Sequence, residues 1–172
     1  KTIYNAYKFS YFCEIIEKKF YSMRITLYQP DIPQNTGNIL RLAACFNVPV
    51  DIIEPAGFII DDKRLKRSAM DYYKYVKLKK HMDWESYYQW SKKNNFNLIL
   101  LTTKSNKNYS DHKFKENDSL ILGRESAGVP IQVHKIVDEK LLIPMENGLR
   151  SLNVSSATAI VVSEAIRQLK AI

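Results

Sequence analysis

The chain has 172 residues, of which 45% are hydrophobic and 26% are charged, as is typical of one folded domain with a substantial core. Its net charge of +8 favours an anionic partner, nucleic acid first, although solvated lysines alone would give the same charge. Cys13 and Cys45 have neither the spacing of a metal site nor that of a disulfide framework, and no secretory leader is visible. The most apolar run of the last segment, 159–162, is too short to span a bilayer. These features predict a cytoplasmic protein without a membrane segment.

Residues 1–22 differ in composition from the rest of the chain, because they are rich in Tyr, Phe and Lys and contain no Gly or Pro. Tyr4, Tyr7 and Tyr11 have roughly helical spacing, so this stretch is either a short amphipathic helix or a frayed extension. The run 24–28 (RITLY) predicts a first strand. We therefore expect an N-terminal extension over 1–22 and a single domain over 23–172.

Strands and helices alternate along this domain. The predicted strands after the first are 48–53, 75–78, 98–102, 119–122 and 140–143. The predicted helices are 36–46, 61–70, 83–93, 129–134 and 153–171. Strands that are apolar throughout and alternate with helices indicate an α/β fold, in which a mostly parallel sheet is covered by helices on both faces.

All five glycines lie in turn-like stretches, and Gly123, Gly128 and Gly148 follow the ends of the last predicted strands. That edge of a parallel sheet is where ligands bind. Dinucleotide, P-loop, HExxH and GxSxG signatures are all absent from the sequence. His81 and the other two histidines are scattered, so no metal site is predicted.

Three polar clusters remain, and in this order they resemble the three motifs of the SpoU-type RNA 2′-O-methyltransferases of the SPOUT superfamily. The first is NTGN at 35–38 followed by Arg41, the second is GRESAGVP at 123–130, and the third is IPM…RSLNVSSA within 142–157. The segment 52–72 is similar to that of the tRNA wobble-nucleotide (cytidine/uridine) 2′-O-methyltransferases. The sequence departs from the family where Val129 replaces the commoner Leu and Ser156 replaces a frequent Asn.

The resemblance implies a C-terminal trefoil knot, a homodimer, and S-adenosyl-L-methionine as methyl donor, with S-adenosyl-L-homocysteine as product and no metal. The family's cofactor contacts, made largely through backbone groups, fall on Leu101, Gly123, Ile143 and Ser151. Plain core packing is the alternative for Leu101 and Ile143. The implied reaction is methylation of the ribose 2′-hydroxyl of the tRNA wobble nucleotide.

The resemblance assigns catalysis to Arg41, which is proposed in the family to activate the hydroxyl. An arginine is a poor base because its pKa exceeds about 12. We therefore expect Arg41 to stabilise the developing alkoxide or to clamp the adjacent phosphate; a surface arginine is the alternative. Asn35 either orients the substrate or caps a helix, and Glu125 either supports its loop or positions Arg41. Asn153 and Ser151 are both candidate caps of the last helix.

The densest basic run contains Lys63, Arg64, Lys66 and Arg67, of which two or three are expected to contact RNA phosphates. Arg150 is expected to contact RNA phosphate or the partner subunit. Two other functions remain open. One is ribosomal RNA 2′-O-methylation, although residues 1–22 are too short for the added RNA-binding domain usual there. The other is RNA binding without catalysis, which would not require the first two motifs.

Overall fold

The computed structural model describes residues 23–59 and 70–170 of the chain. Within these ranges six strands form one sheet in which every neighbouring pair is parallel, in the order β3–β2–β1–β5–β4–β6. The strands are β1 Arg24–Tyr28, β2 Val50–Ile53, β3 Leu78–His81, β4 Asn97–Leu101, β5 Asp118–Leu122 and β6 Glu139–Leu141.

Helices connect the parallel strands. They are α1 Pro33–Phe46, α2 Trp84–Lys93, α3 Ile131–Ile136 and α4 Val154–Lys170, with short 3₁₀ helices at Met70–Tyr75 and Tyr109–Asp111. Asp83 caps α2 as the sequence predicts, because its side chain accepts a hydrogen bond from the Ser86 N–H. Lys92 and Lys93 end that helix at the negative end of its dipole.

Two hydrophobic clusters lie on opposite faces of the sheet. Ile25 and Leu27 of β1 belong to the cluster that also contains residues of α1 and α4. Tyr28 belongs to the other, together with Tyr87 of α2 and Val133 of α3. Successive strand side chains point to opposite faces, so both faces of an apolar strand are buried. The predicted parallel sheet with helices on both faces is confirmed.

A buried ion-pair network ties together the first three strands. The Asp51 side chain is fully buried on β2 and accepts hydrogen bonds from the Arg24 guanidinium of β1, one of them across 3.0 Å from Nη2. The His81 Nε2 of β3 lies 2.8 Å from the Asp51 Oδ1. A buried carboxylate requires such partners, because an unpaired buried charge is very costly.

The chain leaving β6 runs between the end of β4 and the loop that follows β4. The Thr102 N–H donates to the Leu141 carbonyl across 2.8 Å. On the other side, the Leu142 N–H donates to the Lys107 carbonyl and the Tyr109 N–H donates to the Leu142 carbonyl, each across 2.9 Å. This is the segment that threading would involve, and the trefoil knot itself stays a prediction from the resemblance.

Several predicted boundaries shift. The helix predicted at 36–46 begins at Pro33, which suits a first helical position, and it therefore contains Gly37 in its interior rather than in a turn. The strand predicted at 75–78 is wrong in position: a 3₁₀ helix occupies 70–75, and β3 follows it. The helix predicted at 61–70 lies almost wholly outside the described residues, as does the extension 1–22.

Candidate active site

A cavity of about 550 Å³ opens at the carboxyl edge of the sheet, where the strand order reverses between β1 and β5. Its walls come from the loops after β1, β4, β5 and β6 and from the first residues of α4. The four predicted cofactor-binding residues line it together: Leu101, Gly123, Ile143 and Ser151. Asn35, Glu125, Arg150 and Asn153 also line it. The sheet topology thus brings together residues from all three sequence motifs.

A chain of hydrogen bonds joins the three motifs. The Asn35 Nδ2 donates to the Glu125 Oε1 across 3.0 Å, and the Asn153 Nδ2 donates to the Asn35 Oδ1 across 2.9 Å. The second carboxylate oxygen of Glu125 accepts from the Asp31 N–H across 2.8 Å. Asn35 is buried at the third position of α1 and is not its cap, which is Ile32. Its amide orientation is instead fixed by partners on both sides.

Asn153 also caps α4. Its Oδ1 accepts hydrogen bonds from the Ser155 N–H across 2.9 Å and from the Ser156 N–H across 3.4 Å. These are the second and third residues of a helix that begins at Val154, the usual donors to a capping side chain. The cap is therefore Asn153 rather than Ser151. One side chain thus fixes the start of α4 and reaches Asn35 of the first motif.

The loop after β5 closes on itself through its glycines. Arg124 and Gly128 form an antiparallel bridge with reciprocal backbone hydrogen bonds of 3.1 and 2.8 Å. A Cβ at Gly123 would lie 2.8 Å from the Gly128 backbone, closer than real Cβ contacts allow. Gly128 has a φ of +69°, in the region that favours glycine. The loop geometry itself thus requires a glycine at 123, whether or not a ligand approaches it.

Asp31, in the loop after β1, was not identified from the sequence and holds the same loop from the other side. The Ser126 N–H donates to its Oδ2 across 3.2 Å, the Ser126 hydroxyl also donates to it, and the Arg124 Nε lies 3.1 Å from its Oδ1. Hydrogen bonding by Ser126, followed by the charge of Arg124, keeps the pKa of the Asp31 carboxyl below its ordinary value. Its only sequence signal is its place in a Pro-rich turn.

Arg41 lies apart from these residues. It is exposed on α1, six residues beyond Asn35, which corresponds to about 9 Å along a helix axis. It is not among the described residues that line the cavity. Its guanidinium carbon lies 5.3 Å from the centre of the Tyr72 ring. The structure therefore does not bring Arg41 to the cavity wall of its own chain.

The other predicted RNA contacts divide into two groups. Arg150 is exposed and lines the cavity, as does Leu152, which is also exposed. Lys63, Arg64 and Arg67 lie outside the described residues.

His134 and Lys104, which the sequence did not single out, also line the cavity. Burial lowers the pKa of His134, and the charges of Lys104 and Lys140 lower it further, which favours a neutral ring.

Over the described ranges, 23–59 and 70–170, no group of three or more His, Cys, Asp or Glu side chains is placed to hold a metal ion. The helices within the same ranges are all too short or too polar to cross a membrane.

The fold and the cavity define the class: an α/β domain with a cavity for a small molecule at the carboxyl edge of its sheet, where hydrogen bonds join the three motif loops. Residues 22–163 match the model of the SpoU rRNA Methylase family, and the chain belongs to this family. The predicted membership, and with it the SPOUT type of fold, is therefore confirmed.

Curated relatives agree with this assignment. A protein of Beijerinckia indica named tRNA (cytidine(34)-2′-O)-methyltransferase is 46% identical over 148 residues, which cover 86% of this chain and 92% of the relative. A protein of Escherichia coli strain K12 with the same name is 40% identical over 149 residues, which cover 86% of this chain and 94% of the relative.

Solved structures share the fold. One, described as giving structural insights into the 2-OH methylation of C/U34 on tRNA, has a TM-score of 0.83 at 33% identity and covers 87% of this chain and 97% of its own. The SpoU methyltransferase AviRb from Streptomyces viridochromogenes, in complex with AdoMet, has a TM-score of 0.83 at 20% identity, with 92% and 65% covered. The second likeness concerns the fold alone.

Proposed function

We propose that this protein transfers a methyl group from S-adenosyl-L-methionine to the ribose 2′-hydroxyl of the wobble nucleotide, cytidine or uridine 34, of tRNA. The observation that carries the proposal is the meeting of three motif loops, joined through Asn35, Glu125 and Asn153, at one cavity. The names of relatives at 46% and 40% identity support the tRNA position. We accordingly propose a cytoplasmic location.

The cavity fits the cofactor in size and in chemistry. Its volume of about 550 Å³ falls within the usual range for small-molecule sites, and Leu101 and Ile143 give it apolar walls. Glu125 is its only acidic wall residue among those described, and both carboxylate oxygens are already hydrogen-bonded. When bound, the cofactor supplies a methyl group activated by a positively charged sulphur. Backbone groups of Leu101, Gly123, Ile143 and Ser151 would hold it.

The protein's own contribution is to position the hydroxyl and to ease the loss of its proton. Asn35 is held rigidly by Glu125 and Asn153, and its Nδ2 has a second N–H besides the one donated to Glu125. We assign that N–H to the substrate ribose. The exposed position of Arg41, beyond the cavity wall, supports the role of clamping the phosphate next to the reacting ribose. Glu125 and Asn153 are then positioning residues.

Phosphate contacts outside the reaction centre are assigned to Arg150 at the cavity and to Lys63, Arg64 and Arg67. Arg150 is exposed on the loop after β6 and can reach RNA at the opening. The other three form a dense basic run in the sequence. Binding through such contacts weakens steeply as the salt concentration rises.

A homodimer is part of the proposal. Leu149 and Leu152, on the loop after β6, are 68% and 42% exposed, and Ile160 on α4 is 36% exposed. Exposed apolar side chains on one continuous stretch of chain favour burial against another surface. A second copy would bury the same residues of both chains, as a two-fold interface does.

The test is methylation with a radiolabelled methyl donor on total tRNA and on ribosomal RNA, followed by mapping of the labelled nucleotide. We expect label on the ribose of tRNA nucleotide 34. Label confined to ribosomal RNA would replace this proposal with rRNA 2′-O-methylation. Absence of label from both RNAs would contradict the methyltransferase proposal and leave RNA binding without catalysis as the remaining function.

A further inference from the structure

The surroundings of Arg41 point to a residue that acts on the reaction from outside the cavity. Arg41 projects from α1 toward the 3₁₀ helix Met70–Tyr75, and its guanidinium carbon lies 5.3 Å from the centre of the Tyr72 ring. A guanidinium within about 6 Å of a ring centre is attracted by the negative face of the ring. The half-buried Tyr72 therefore provides a surface on which the exposed arginine side chain rests.

Tyr72 is itself held in place by its neighbours. Tyr73 and Val76 pack against the large hydrophobic cluster, and the Val76 N–H donates to the Tyr73 carbonyl across 3.3 Å. Directly afterwards, β3 pairs with β2 in the sheet. The residues that follow Tyr72 in the chain are thus packed into the core. Because they hold Tyr72 in place, its ring can restrict the rotamers of Arg41.

The ring contact orders the side chain through the face of Tyr72. Contact with a ring face does not itself use guanidinium N–H groups. A long arginine side chain also loses considerable rotamer entropy when it is fixed, and a surface that orders it beforehand reduces the loss on substrate binding.

We propose that Tyr72 is a positioning residue that holds the Arg41 guanidinium in its reactive orientation through its ring. The inference rests on the proposed role of Arg41 in methyl transfer. The hydroxyl of Tyr72 has no part in it, so phenylalanine should replace tyrosine and an aliphatic side chain should not.

The experiment compares Tyr72→Leu and Tyr72→Phe in the full chain, with Tyr75→Leu as the matched control. Tyr75 belongs to the same 3₁₀ helix, is 65% exposed and contacts Lys74. We expect Tyr72→Leu to lower kcat about tenfold with little change in the KM for the methyl donor. Tyr72→Phe and Tyr75→Leu should stay within about twofold of the parent, and all variants should bind S-adenosyl-L-homocysteine equally.

Arg41→Ala, assayed over long incubations, separates the two hypotheses. If Arg41→Ala loses activity and Tyr72→Leu does not, the inference about Tyr72 is overturned and the function stands. Equal losses in Tyr72→Leu and Tyr72→Phe would also overturn it, because the hydroxyl rather than the ring would then matter. Full activity in Arg41→Ala would remove Arg41 from the reaction and overturn the inference about Tyr72, while the methyltransferase function would stand. A Tyr72→Leu effect that vanishes in the Arg41→Ala background supports the inference.

Discussion

Asn153 and Asn35, which are 118 positions apart in the sequence, share a hydrogen bond of 2.9 Å from the Nδ2 of the first to the Oδ1 of the second. Asn153 is also the cap of α4, and Asn35 lies in the first turn of α1. The starts of two helices that contribute to the same cavity are thereby linked side chain to side chain. A substitution of either asparagine should therefore alter the orientation of the other side chain.

Replacing Asn153 separates its two roles. Asn153→Asp keeps the oxygen that caps α4 and removes the N–H that Asn35 accepts, so we expect little change in melting temperature and a fall in kcat of about tenfold or more. Asn153→Ala removes both, and should also cost about 1 kcal/mol of stability. Thermal melting and steady-state kinetics check this. Normal kcat in Asn153→Asp would show that the link to Asn35 does not serve catalysis.

Glu125→Gln should uncouple the first and second motifs. Glu125 accepts one hydrogen bond from Asn35 and one from the Asp31 N–H, whereas glutamine has a single acceptor oxygen. Loss of one bond to a charged acceptor is expected to lower kcat by about ten- to a hundredfold. Glu85→Gln, which changes an exposed pair with Gln89 on α2, is the control. Equal kcat values in the two variants would contradict the prediction.

Gly123→Ala should distort the loop after β5. The new Cβ would lie 2.8 Å from the Gly128 backbone, so the two ends of the loop must move apart. We expect the Kd for S-adenosyl-L-homocysteine, measured by calorimetry, to rise at least about tenfold, equivalent to roughly 1.4 kcal/mol. Gly148→Asn is the control, because open space surrounds Gly148 and asparagine tolerates a positive φ such as its +86° better than most other residues do. Unaltered affinity in Gly123→Ala would mean that the loop does not contribute to the site.

Asp51→Ala tests the buried network on the other half of the sheet. Its removal leaves the Arg24 charge without its carboxylate, and we expect the free energy of unfolding to fall by about 3–5 kcal/mol. The control Arg167→Ala removes an ion pair whose arginine side chain is 68% exposed, and should lower the free energy of unfolding far less. Denaturant unfolding measures both. Similar losses in the two variants would show that burial adds nothing to the Asp51 pairs.

The proposed homodimer makes a prediction about Leu149 and Leu152. Placing a charge on each, as in the double variant Leu149→Glu and Leu152→Glu, should convert a dimer into a monomer because an unpaired charge is costly at an apolar interface. Light scattering after size-exclusion chromatography measures the mass. Ile131→Glu, at a 62% exposed position on α3, should remain dimeric. A monomeric parent protein would refute the dimer.

The central strands could be predicted because they are buried on both faces. The predicted bounds of β1 equal the observed ones, and those of β4 and β5 differ by at most one residue at each end, since a run such as Asn97–Leu101 is apolar almost throughout. β3 could not be, because it is an edge strand whose Lys79 and Lys80 are exposed. Without an apolar run or a clean alternation, the sequence carried no signal for it.

The composition of the site could be predicted from its motifs, but its pairings could not. A motif names Asn35 and Glu125 without showing that one donates to the other across two loops, since that contact depends on β1 and β5 being neighbours in the sheet. The same holds for Arg41: its motif names the residue without showing that its guanidinium lies 5.3 Å from the centre of the Tyr72 ring, which belongs to another segment of the chain. Asp31 was missed because its partners, in the loop after β5, are distant in sequence.

The double hydrogen bonding of Leu142 has a consequence for how a small molecule enters and leaves. Ile143 follows Leu141, which is hydrogen-bonded to Thr102 at the end of β4, and Leu142, which is hydrogen-bonded to the loop after β4. The cavity wall at Ile143 therefore cannot move outward without breaking hydrogen bonds on both sides. The stretch 146–152 has no regular structure and is exposed along its length. Ile143 is therefore a fixed wall of the cavity, and a small molecule has to pass the exposed stretch 146–152 rather than Ile143 when it enters or leaves.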